Sequence, residues 1–142
     1  MKASARNQLA GTISKVQIGT VNAEIHVELQ SGETIVATIT KKSAETLKLS
    51  VGMAAVALIK APQIIIVTDF GGYRLSARNQ LQGVVSEVTS GAVNYEVDIE
   101  LASGETIAAT VTNYSAEALG LRKGQSAMAV FKASAVILAI PN

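Results

Sequence analysis

Apolar and polar residues alternate strictly through Val21, Ala23, Ile25, Val27 and Leu29, with Asn22, Glu24, His26 and Glu28 between them. A period of two puts the apolar set on one face of an extended chain, so a half-buried strand is predicted from Val21 to Leu29. A strand before it (Leu9 to Ile18) and one after it (Thr34 to Thr40) are set off by turns at Gly19 and Ser31-Gly32, which suits an antiparallel meander. The pattern then changes: Ser43 to Leu49 carries helix-forming residues, and a short helix ending near Gly52 is expected. Two more strands, Met53 to Lys60 and Gln63 to Thr68, are apolar on both faces, most clearly at Ile64-Ile65-Ile66-Val67.

The whole pattern is written twice. Ser4-Ala5-Arg6-Asn7-Gln8-Leu9 returns letter for letter as Ser76-Ala77-Arg78-Asn79-Gln80-Leu81, an offset of 72. The same offset carries Gly11 to Gly83, Val21-Asn22 to Val93-Asn94, Thr40 to Thr112, Ser43 to Ser115 and Lys60-Ala61 to Lys132-Ala133, with no gap. Two copies of one structural unit follow. The first is expected over residues 1–70 and the second over 73–142, with the boundary at Asp69-Phe70-Gly71-Gly72, where paired glycines break the pattern. Three strands, a short helix and two strands is the element order of an OB-type Greek-key barrel, so the fold class expected is all-β with one short helix per module, in tandem. A module this small has a modest core. Its two-faced apolar strands are expected to pack on the sister module or another subunit.

Composition narrows the function. With 49% hydrophobic and 16% charged residues among 142, the chain is a folded protein rather than a disordered one. Its net charge of +1 supplies no broad positive field for nucleic acid or a membrane surface. Two Phe, three Tyr and no Trp, none kept between copies, offer no stacking platform for single strands. No Cys and a single His exclude disulfides and nearly all zinc sites. Neither a signal-type apolar segment nor the roughly 20 apolar residues of a membrane span occurs, so a soluble, cytoplasmic protein is expected.

The shared residues that packing and turns leave unexplained are Ser4, Arg6, Asn7, Asn22, Thr40, Ser43 and Lys60, with their copies. Most are hydrogen-bond donors. Ser, Thr, Arg, Lys and backbone amides make an anion site, whereas a hydrolase or transferase needs an activated nucleophile beside a base, and no base repeats. His26 becomes Asp98 in the second copy and is expected to be a solvated surface residue. Thr40 and Ser43 fall where a strand meets the short helix, where either could cap the helix or the helix dipole could favour an anion. Lys60 and Lys132 end apolar strands, as snorkelling rim lysines also do. An Arg and a Lys at one site supply two positive charges, which suits a dianion. No enzyme activity is expected, and the ligand class is a small tetrahedral oxyanion.

The Ser-Ala-Arg-Asn-Gln segments, the Gly-x-x-Val-Asn-x-Glu turns, the Thr-x-x-Ser pairs and the two Lys-Ala-x-x-x-Ile segments form a set that resembles the di-Mop molbindins, tandem molybdenum-pterin-binding-type modules, over essentially all of the chain. The resemblance implies cytoplasmic storage or buffering of molybdate, with tungstate also accepted, on a trimer of double modules with sites between subunits. It implies that Ser4, Arg6, Thr40, Ser43, Lys60 and Ala61 surround the oxyanion, as do Ser76, Arg78, Thr112, Ser115, Lys132 and Ala133. The alanines would act through backbone amides, and the metal, bound as its oxyanion, would take no direct protein ligand. The family also binds anions near its symmetry axis, for which the Val21-Asn22 and Val93-Asn94 turns are the candidates. Where some relatives carry Ser after the Lys, both copies here have Ala. At the next position Pro62 lacks the amide that Ser134 retains, so the two sites are expected to be unequal, with one more donor beside Lys132.

Overall fold

A computed structural model describes residues 1–69 and 71–142; Phe70, within the expected boundary, lies outside the described residues. Its ten strands form two five-stranded sheets with the same order of elements. The first copy supplies β1 (Asn7–Ile18), β2 (Asn22–Leu29), β3 (Thr34–Thr40), helix α1 (Lys41–Thr46), β4 (Ala54–Ile59), a 3-10 turn (Ala61–Gln63) and β5 (Ile65–Val67). The second supplies β6 (Asn79–Ser90), β7 (Asn94–Leu101), β8 (Thr106–Thr112), α2 (Asn113–Leu119), β9 (Ser126–Phe131), a 3-10 turn (Ala133–Ala135) and β10 (Ile137–Ala139). The protein is mostly β, as the alternation predicts. The alternating strand is half-buried as expected: Ala23, Ile25, Val27 and Leu29 are inaccessible. Each such large side chain contributes about 1.5–3 kcal/mol by leaving water.

Two local readings change. The helices begin earlier than expected, at Lys41 and Asn113, because Thr40 and Thr112 in extended conformation cap them. They also end earlier, at left-handed Lys48 (φ 53°) in one copy and Gly120 (φ 60°) in the other, rather than near Gly52 and Gly124. The 3-10 turn that opens each final strand is invisible to a period of two or 3.6.

The larger difference is in how the chain closes. The sheet orders are β10-β4-β1-β2-β3 and β5-β9-β6-β7-β8, so the last strand of each copy pairs with the fourth strand of the other. Ile137 lies opposite Leu58, and Ile65 opposite Val130. The compact units are therefore residues 1–59 with 132–142, and residues 60–131. Neither coincides with one copy of the repeat. In the first unit the turn before β10 also packs on β3, the far edge of the sheet, and β10 touches it too; in the second the turn before β5 and β5 itself pack likewise on β8. Joining the two edges curls each sheet into the expected OB-type barrel, with its fifth strand borrowed. The doubly apolar strands are explained in part: Ile66 and Leu138 point into the cores, while Ile65 (59% exposed) and Ile137 (61%) remain on the surface.

β1 serves both sides of its barrel. Residues 7–12 pair with β4 and residues 11–18 with β2, so Gly11 is hydrogen-bonded through both neighbours. A Cβ there would stand 2.5 Å from the Glu28 carbonyl oxygen, and one at Gly83 2.6 Å from that of Glu100. Glycine is the residue that fits. Three residues on, the register slips between Ile13 and Lys15, and in β6 between Val85 and Glu87. Such a bulge bends the strand and sharpens its twist, which closing a small barrel requires.

Candidate oxyanion site

The arms that carry Ser4 and Arg6 are fixed by the next residues of the repeated segment. Gln8 turns back and its side-chain amide donates to the carbonyls of Ala3 (3.2 Å) and Ala5 (3.1 Å). Gln80 does the same to Leu75 (3.2 Å) and Ala77 (2.8 Å). Asn7 and Asn79 are 2% and 1% exposed, the buried polar residues of the described chain. They sit opposite Ile59 and Phe131, the residues that precede Lys60 and Lys132. Gln8 and Gln80 are supports of the arms that residue-type reasoning passed over. Their signal was the letter-for-letter identity of the segment.

The Thr-x-x-Ser pairs are built identically. Thr40 accepts a hydrogen bond from the Ser43 backbone N–H (3.1 Å) and donates its hydroxyl to Ser43 Oγ (2.8 Å). Thr112 and Ser115 repeat this at 3.1 and 2.9 Å. The capping reading of threonine is thus realised. With the threonine proton given to the serine oxygen, each serine keeps its own hydroxyl proton for an outside acceptor. Helices of six and seven residues carry a small dipole, so the hydroxyls are the main donors that each junction presents.

Lys60 and Lys132 stand at the N-caps of the two 3-10 turns, in extended conformation, with exposed side chains. Ala61 and Ala133, the first residues of those turns, are buried. The strand exchange redistributes the candidates. Ser4, Arg6, Thr40 and Ser43 share a compact unit with Lys132, Ala133 and Ser134, and Ser76, Arg78, Thr112 and Ser115 share one with Lys60, Ala61 and Pro62. One copy's six donors are therefore not gathered into a single unit. The arm, cap and lysine side chains are exposed, apart from half-buried Ser115.

The Val21-Asn22 and Val93-Asn94 turns are tight hairpin ends. Gly19 N–H donates to the Asn22 carbonyl (2.8 Å) and Lys41 N–H to the Val21 carbonyl (2.8 Å), which ties the turn to the start of α1. In the second copy Asn113 replaces Lys41, and its side-chain amide reaches the carbonyls of Gly91 (3.4 Å) and Ala92 (3.2 Å). Its own Oδ1 is buried without a partner among the described residues. Val21 and Val93 are 71% and 74% exposed. Beside the first turn a cleft is lined by Gln17, Asn22, Glu24 and Thr38, so it includes a carboxylate.

That carboxylate is engaged: Glu24 Oε2 lies 2.7 Å from His26 Nε2 and 3.7 Å from Lys15 Nζ. His26 is therefore half-buried against an acid rather than freely solvated, though it lies on the polar face as expected. Among the described residues no group of three or more His, Cys, Asp or Glu could hold a metal ion. No helix among them is long and apolar enough to cross a membrane.

Duplicated donor arms, hydroxyl pairs and lysine turns on OB-type barrels define a protein of two tandem modules, and sequence comparison agrees. The TOBE domain matches twice, at residues 3–66 and 75–138, and the chain belongs to that family. It is similar to the molybdenum transport protein ModE of Herbaspirillum seropedicae, 48% identical over 140 residues, 99% of this chain and 52% of that protein. It is also similar to the molybdenum-pterin-binding protein MopA of Rhodobacter capsulatus, 43% identical over 141 residues, 99% of this chain and 53% of that protein. The chain spans about half the length of the curated relatives it matches. Among solved structures, the cytoplasmic molybdate-binding protein ModG in a molybdate-bound form superposes with a TM-score of 0.96 at 48% identity, covering 99% of this chain and 100% of that one. The resemblance to tandem Mop modules is upheld.

Proposed function

We propose that this chain binds molybdate, and tungstate with it, reversibly and without catalysis, as a cytoplasmic store or buffer. The observation that carries the reading is the doubled set of donors, Ser4, Arg6, Thr40, Ser43 and Lys60 with their copies, exposed apart from half-buried Ser115 and followed at each lysine by a buried alanine, Ala61 or Ala133, on a fold that superposes on molybdate-bound ModG. Arg and Lys neutralise the dianion; the Ser43 and Ser115 hydroxyls and the turn amides fix its tetrahedron. Because these groups are exposed on a single chain, the sites are largely between subunits, where a neighbour shields them, and the assembly is a trimer. The Val21-Asn22 and Val93-Asn94 turns are secondary sites, each weakened by the carboxylate two residues on, Glu24 or Glu96. Nucleic acid and membranes are not partners.

Discrimination rests on size. Sulfate has the charge and shape of molybdate but shorter bonds, so a rigid shell set for the larger anion leaves sulfate's hydrogen bonds stretched. Calorimetric titration with molybdate, alone and in millimolar sulfate, together with the mass in solution, is the test. Saturable molybdate binding that survives sulfate, on a trimer, is expected. Stoichiometric displacement by sulfate, or binding by a monomer, would overturn the size argument or the inter-subunit site respectively.

A further inference from the structure

The two lysine turns have the same backbone. Lys60 caps its turn at φ −70°, ψ 137°, and Lys132 at φ −72°, ψ 143°. The first amide bonded within each turn is that of the third residue: Gln63 N–H to the Lys60 carbonyl (2.9 Å) and Ala135 N–H to the Lys132 carbonyl (3.0 Å). The two preceding positions have no partner inside the turn, as at the start of any helix. After Lys132 those positions are Ala133 and exposed Ser134, which present two N–H groups and a hydroxyl. After Lys60 they are Ala61 and Pro62, and proline has no N–H. Since Pro62 leaves the backbone angles unchanged, the turns differ in donor count and not in shape.

We propose that Ser134 makes the oxyanion sites at the Lys132 turn the tighter of two classes, and that Pro62 weakens those at the Lys60 turn. The proposal rests on the molybdate reading above. A hydrogen bond to a charged acceptor is worth roughly tenfold in affinity, so the sites at the Lys132 turn fill first as molybdate rises and those at the Lys60 turn act as a reserve at higher concentration.

The test is calorimetric titration of the full chain with molybdate. Two classes of site in equal number, roughly tenfold apart, are expected, with Lys132→Ala abolishing the tighter and Lys60→Ala the weaker. Ser134→Pro should bring the tighter class down to the weaker, and Pro62→Ser should do the reverse. The first copy already houses proline in this turn, so the Ser134→Pro variant should melt as the parent does. Ser134→Ala, which keeps the amide, gives an intermediate loss. Equal sites in the parent, loss of the weaker class in Lys132→Ala, or unchanged isotherms for Ser134→Pro and Pro62→Ser would overturn this inference while leaving the molybdate reading intact. No binding in the parent would overturn both.

Discussion

At the scale of single residues, much of what the repeat keeps turns out to be geometry in the service of chemistry. Gly11 and Gly83 are invariant between copies because β1 and β6 are gripped on both edges there, with a carbonyl oxygen where a side chain would begin. Gly11→Ala should therefore lower stability by about 2–3 kcal/mol, the cost of forcing an atom into a packed ladder, read as a shift in the urea midpoint. An unchanged midpoint would mean that the strand can move aside. Gln8 and Asn7 were legible as repeated letters but not as supports. Their roles depend on an arm folding back and on a buried strand end, neither of which a one-dimensional pattern displays.

At the scale of elements, the junction of strand and helix joins stability to binding, and the two can be separated. Thr40 caps α1 through its side-chain oxygen, whereas Ser43 contributes its backbone N–H to that cap and keeps its hydroxyl proton, which the proposed function gives to the ligand. Thr40→Ala should cost about 1 kcal/mol of stability, typical of a lost N-cap, and should also weaken molybdate binding. Ser43→Ala should weaken binding with a smaller change in melting temperature, because the cap bond survives. Equal thermal shifts in the two variants would contradict this division. The strand-to-helix change was readable at residue level, but the helix ends were not. Lys48 takes a left-handed conformation that its sequence does not advertise, while Gly120 at the matching position does.

At the scale of the whole molecule, each barrel is completed by the other copy's last strand, so the repeat and the compact unit are different objects. Residues 1–70 alone would contain β5 but lack β10, leaving the outer edge of β4 unpaired and one side of the core open. Such a fragment should not yield a folded monomer. Circular dichroism and sedimentation should find either an unfolded chain or a dimer that exchanges strands between molecules. A folded monomer with native-like stability would show that β5 can close its own barrel. The exchange also places Lys60 and Lys132 in units with the opposite copy's threonine and serine pairs, a regrouping that matching residues along the sequence cannot anticipate.

By itself the sequence determined the module and its doubling, the order of strands and helix, the repeated donor residues, and the unequal pair Pro62 and Ser134, since all are local patterns or identities at a fixed offset. Only the tertiary structure decided which final strand completes which barrel. Ile65-Ile66-Val67 and Ile137-Leu138-Ala139 are equally short and apolar, each with one residue turned inward, and backbone hydrogen bonds to β4 or β9 are chemically the same for both. No local preference separates the two pairings. The choice is made by the path of the connecting chain and by closure of the whole core, which are properties of the fold and not of any segment.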